Sequence, residues 1–74
     1  MQLNIAEGYA LGSRAAFRRH LSIAYGSAVE TGDLLELLIE KQLGPVAQAQ
    51  RLLALIHRTQ GLLLGLLERY RPRP

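Results

Sequence analysis

Arginine supplies eight of the nine basic side chains in this chain, and six of those arginines sit near its two ends: Arg14, Arg18, Arg19, then Arg69, Arg71 and Arg73. A guanidinium is a planar fork of donors whose geometry suits phosphate and carboxylate oxygens. The chemistry open to such a set is the holding of a polyanion through its backbone charge, without reading a base sequence. Glu7 and Glu68 are the acids close enough in sequence to offset it, and the formal net charge is +3. The alternative reading is a solvated basic tail, because Arg71 and Arg73 alternate with Pro72 and Pro74. Tyr9, Tyr25 and Tyr70 read as core or contact residues rather than as a base-stacking platform.

Other chemistries find no partners. His20 and His57 belong to no His-x-x-x-His or Glu-x-x-His spacing, so a metal site is not indicated and both read as surface residues. Glu7 has no second acid or base with which to work as a catalyst. Ser13 and Ser27 have no His–acid pair to activate them. Gly8 and Gly12 lack the Lys-Ser or glycine pattern of a phosphate-cradling loop. There is no Cys. The expectation is a protein that is not an enzyme and that uses no cofactor.

The elements that position the arginines are helical. Gly12 favours a turn, and the Ser13 hydroxyl suits an N-cap. From there Phe17, Leu21, Ala24, Ala28, Leu35 and Leu38 recur at steps of three, four or seven, which predicts a first helix over 13–42. Gly44-Pro45 breaks it, with Gly44 suited to a left-handed cap and Pro45 to the first turn of a second helix over 45–70. The inner row of that helix reads Ala49, Leu52 or Leu53, Ile56, Leu63, Leu66 or Leu67, and Tyr70. Leu55, Leu62 and Leu64 fall outside it, so this helix is apolar on more than one side. Residues 1–8 read as a helical stub and 71–74 as a basic tail, all in one domain spanning 1–74. An antiparallel hairpin turning at Gly44 pairs residues whose numbers sum to about 88. That register sets Glu30 beside Arg58, places Glu36 and Glu40 near Arg51 and Gln48, and gathers the six arginines at the open end. It separates His20 from His57 by about 16 Å at 1.5 Å per residue.

Seventy-four residues with 49% apolar side chains exceed what two helices can hide, and nothing here staples a small core. The fold class expected is therefore all-α: a long antiparallel helical hairpin that completes a four-helix bundle by homo-oligomerisation. Gly61 and Gly65, four apart, suit close helix approach or are simply tolerated at about 1 kcal/mol each. No charged start followed by a long apolar run marks a secretory signal. The longest strongly apolar run, 61–67, is far short of the ~20 residues of a membrane span. A cytoplasmic protein with no membrane partner is the expectation.

Residues 4–27 carry a more specific pattern: Asn4-Ile5-Ala6-Glu7-Gly8-Tyr9, Ser13, Phe17, Leu21, Ile23-Ala24 and Gly26-Ser27. This resembles the signature of the four-helix-bundle family of proteins encoded within intervening sequences of 23S ribosomal RNA genes, to which the accessory variability determinants of diversity-generating retroelements look related. The resemblance implies a helix end, a turn, a cap and the core face of a long helix. It also implies that full-length relatives carry a complete helix and most of a second one before the position of Asn4. Thr31-Gly32-Asp33 and Ala10-Leu11 depart from the pattern, where relatives tend toward an acidic residue with Thr-Gln and toward basic residues. Family members resemble pentamers of complete bundles, so a dimer of hairpins is the first expectation here and a pentamer the alternative. Two functions follow. One is an accessory module binding RNA, DNA or another polyanion through Arg14, Arg18, Arg19, Arg69, Arg71 and Arg73, with a reverse transcriptase as the protein partner the resemblance suggests. The other is a structural or protein–protein interaction module that docks a partner through its apolar helix faces. A third reading takes Met1 as the start of a fragment of a longer gene product.

Overall fold

The computed structural model describes residues 14–72. Two helices fill that span, α1 over Arg14–Glu40 and α2 over Val46–Arg69, packed antiparallel against each other. Among the described residues there is no strand. The stub over 1–8, the Ser13 cap and Arg73 lie outside the described residues.

The turn differs from the sequence expectation in a physically readable way. Helix α1 ends at Glu40, and the left-handed residue that closes it is Gln42, with φ 56°, not Gly44. The Leu43 amide donates to the Leu38 carbonyl at 2.9 Å and the Gln42 amide to the Ile39 carbonyl at 3.1 Å. Those crossed bonds form a Schellman closure, which satisfies carbonyls that the end of a helix would otherwise leave bare. Gly44 is also at positive φ, 77°, one step later, where it turns the chain toward Pro45. Pro45 precedes the second helix as its N-cap, with φ −77° and ψ 99°, and its carbonyl accepts from the Ala49 amide at 3.1 Å. The helix starts at Val46 because Pro45 remains extended.

The seam between the helices follows a strict alternation of three and four. On α2 it runs Ala49, Leu53, Ile56, Gln60, Leu63, Leu67 and on to Tyr70, all buried or half-buried. Leu53 and Leu67 hold the inner row, whereas Leu52 and Leu66 are exposed beside it. On α1 the seam is Leu21, Tyr25, Ala28, Gly32, Leu35 and Ile39. Tyr25 takes the place expected of Ala24, which is exposed. Gly32 fills the gap between Ala28 and Leu35. A Cβ there would lie 3.4 Å from Cγ2 of Ile56, 3.5 Å from Nε2 of Gln60 and 3.8 Å from Cδ1 of Leu53. The Gly32–Ile56 contact matches the register centred on a sum of about 88. The interhelix ion pairs drawn from that register do not form: Glu30, Glu36 and Glu40 are exposed, and the ion pair among the described residues is Glu68 with Arg71. Pairing in register sets the height of two side chains but not their azimuth. Glu30, Arg51 and Arg58 lie on the outer sides of their helices, turned away from the seam.

The result, over the described residues, is a single layer of two helices. The buried apolar residues are Leu21, Ala28, Leu35 and Ala49, and no large side chain among the described residues is fully buried. A seam has one inner line per helix, so most of the remaining apolar residues face outward.

Candidate polyanion-binding pole

The antiparallel register brings the start of α1 against the end of α2. Arg14, Arg18 and Arg19 lie on the first two turns of α1, while Arg69 closes α2 and Arg71 follows it. The positive end of the α1 dipole lies here beside the negative end of the α2 dipole, so the two offset each other and the charge of the pole is that of its guanidinium groups.

The arginines do different work. Arg14 Nη2 donates to the Arg69 carbonyl at 3.2 Å, and its guanidinium carbon stands 4.9 Å from the centroid of the Tyr70 ring. Tyr70 in turn meets Phe17 edge-on, ring centroids 4.9 Å apart. Arg14 is therefore a clasp: it supplies positive charge where the carbonyls of α2 are bare and rests on the electron-rich face of a ring. Tyr70 closes the open end of the seam. Arg71 is held by Glu68 at 3.0 Å, with both side chains exposed, so this pair trades little energy but does offset charge.

Arg18, Arg19 and Arg69 are the described arginines of this pole whose forks remain for a ligand, and the first two line clefts. Arg19 is exposed, and Arg18 is half-buried with its Nε–H lacking a hydrogen-bond partner. Both border clefts beside the first turns of α1. One, of about 310 Å³, is lined by Arg14, Ala15, Arg18, Tyr70 and Pro72. The other, of about 330 Å³, is lined by Ala15, Arg18, Arg19, Ser22 and Pro72. The sequence located the pole but not this division of labour, since no spacing rule says which arginine will meet a ring.

His20 and His57 are exposed. Among the described residues no group of three or more His, Cys, Asp and Glu side chains gathers as a metal site would require. No helix among the described residues is long and apolar enough to cross a membrane.

Fold and site together define an all-helical hairpin with one basic end and a thin core. The chain belongs to the 23S rRNA-intervening sequence protein family, whose model matches residues 1–65. Arg14, Arg18 and Arg19 fall within the matched stretch, and Arg69, Arg71 and Arg73 beyond it. Comparison with curated proteins and with solved structures gives no match.

Proposed function

We propose that this protein is a non-enzymatic cytoplasmic module that holds the phosphate backbone of RNA, or a chemically similar polyanion, at its arginine pole, and that it does so as a homo-oligomer in which hairpins share a four-helix core. The observation that carries the reading is the convergence of Arg18 and Arg19 on clefts beside the first turns of α1, with Arg69 and Arg71 delivered to the same end by the second helix. Family membership supports a ribonucleic partner. A reverse transcriptase is the protein partner that the kinship with retroelement accessory proteins suggests. No general acid, base or nucleophile figures in this reading; the work is electrostatic.

The test is fluorescence anisotropy with a generic single-stranded RNA across a salt series. Binding should weaken linearly in log–log form as salt rises, because each neutralised phosphate releases counterions. The pair Arg18→Glu and Arg19→Glu should reduce affinity at least tenfold while far-UV helicity stays constant. Arg14 is the wrong residue for this experiment, since its loss also opens the clasp. Absence of any anisotropy change at low salt would dispose of the reading. A second reading, docking of another protein through apolar helix faces, is favoured by a separate observation: Leu34, Leu52, Leu55 and Leu62 are each at least half exposed.

A further inference from the structure

We infer that the arginine pole is built for unpaired RNA and takes one base out of the strand: the cleft beside Tyr70 holds the base, the neighbouring cleft beside Arg19 holds the phosphate, and Arg18 stands between them. The inference rests on the phosphate-holding half of the proposed function and supplies what that reading leaves open, the strandedness of the ligand and the place of its two parts.

Ala15, Arg18, Arg19 and Ser22 stand at i, i+3, i+4 and i+7, so they share one stripe of α1. The two clefts lie along that stripe. They have Ala15, Arg18 and Pro72 in common and therefore adjoin, and the rest of the lining is what tells them apart. The first adds Arg14 and Tyr70, the second Arg19 and Ser22. One neighbour of Arg18 is thus a cleft with an aromatic wall, and the other is a cleft of hydrogen-bond donors.

The aromatic cleft offers a flat ligand the Tyr70 ring, the Pro72 ring and the Ala15 methyl group, with the guanidinium groups of Arg14 and Arg18 beside them. Aromatic rings and guanidinium planes are the surfaces on which splayed-out bases stack. Tyr70 is not a bare platform, because Phe17 meets it edge-on and Arg14 lies over its ring. The base rests against the Arg14–Tyr70 pair as a unit. At about 310 Å³ the cleft is at the small end of ligand sites, a size for one base rather than a run of them. A paired and stacked base in an A-form duplex cannot enter it, whereas an unpaired one can.

The other cleft suits the phosphate. Arg19 and Ser22 are exposed, and both carry donors for a phosphate oxygen. The Nε–H of Arg18 is shielded from solvent and has no acceptor, a state that costs free energy in the unliganded hairpin. A phosphate taken side-on by the Nε–H and one Nη–H of this fork removes that cost, once the Arg18 side chain turns toward it.

Among the described residues no acid lines either cleft, and Glu68 is turned to Arg71 at 3.0 Å. A surface that only neutralises backbone charge needs guanidinium groups and no apolar recess among them. Here the recess sits directly beside the donors and shares Arg18 with them. A nucleotide has the same two parts, a flat ring system and an anion, joined through one sugar.

Fluorescence anisotropy at one fixed low salt concentration tests this with two pairs of probes matched in backbone charge. The first pair is a labelled uridine strand and its abasic counterpart with the same number of phosphates. The second is an RNA duplex with one bulged uridine against the same duplex with an abasic residue in the bulge. In each pair the wild type should bind the probe with the base at least about fivefold more tightly, the low end of what one stacked base contributes. Ala15→Leu lengthens an exposed side chain in the wall common to both clefts and leaves the charge unchanged. It should bring the uridine strand down to the level of the abasic one, with far-UV helicity constant. Equal binding within either pair by the wild type overturns the inference and leaves the holding of a polyanion intact. A preference for the base that survives in a helical Ala15→Leu variant overturns it as well, because the base then sits elsewhere. Should that variant lose helicity, the two wild-type ratios still decide. Failure of every probe to bind sinks the proposed function and this inference together.

Discussion

Arg14 is an arginine spent on structure. Its guanidinium serves the Arg69 carbonyl and the Tyr70 ring at once, two interactions that are each worth about 0.5–1 kcal/mol when partly exposed. Replacing it by alanine should cost about 1 kcal/mol in urea denaturation at fixed protein concentration, while Arg19→Ala should change stability by less than about 0.5 kcal/mol. Equal losses would show that the clasp contributes nothing. Gln42 makes the opposite case. An L-residue with a side chain in the left-handed region sits about 1 kcal/mol or more above glycine there. Gln42 holds φ 56° to close α1, so Gln42→Gly should stabilise by about 1 kcal/mol. A loss of stability would mean that the Gln42 side chain makes a contact worth more than the strain.

At the scale of elements, Gly61 and Gly65 of α2 behave alike, as does Gly26 of α1, whereas Gly32 of α1 does not. Nothing lies within 4 Å of a Cβ built on Gly61 or Gly65, so within the hairpin these residues do not serve close helix approach. Gly61→Ala and Gly65→Ala should each stabilise α2 by roughly 1 kcal/mol through helix propensity alone, read as a rise in Tm. In Gly32→Ala the new methyl reaches ordinary contact with Ile56 at 3.4 Å and keeps most of that gain, whereas Gly32→Leu should disrupt the seam. The hairpin itself was legible from Gly44-Pro45 and from the three-and-four spacing of apolar residues, because those signals are local. The choice of Leu53 over Leu52 was not, nor that of Tyr25 over Ala24. Adjacent residues differ by about 100° around a helix, and only the partner's position decides which one faces in. Gln42 was missed because its type does not announce a left-handed conformation, and Gly44 next door does. The basic pole followed from register. The capture of Arg14 by Tyr70 did not, since it needs the azimuth of both side chains.

For the molecule as a whole, thinness is the governing property. With Leu21, Ala28, Leu35 and Ala49 as its buried apolar residues among those described, the hairpin has little interior to stabilise it alone. If hairpins share a core, folding and association are one equilibrium, and the Tm should climb by several degrees between 1 and 100 μM protein. A Tm independent of concentration would count against shared burial. The clasp of Arg14 on the last turn of α2 has a further consequence at this scale. Paired helices ordinarily unzip from their tips, where the final amides trade protons with solvent fastest. Here one tip is a crossed-bond turn and the other is fastened by a cation lying on a ring, so neither end is a natural place for opening to begin. Slow deuterium uptake at the Tyr70 amide, which donates to the Leu66 carbonyl at 3.0 Å, relative to amides near Gly61 would be the signature of a hairpin that comes apart from its waist.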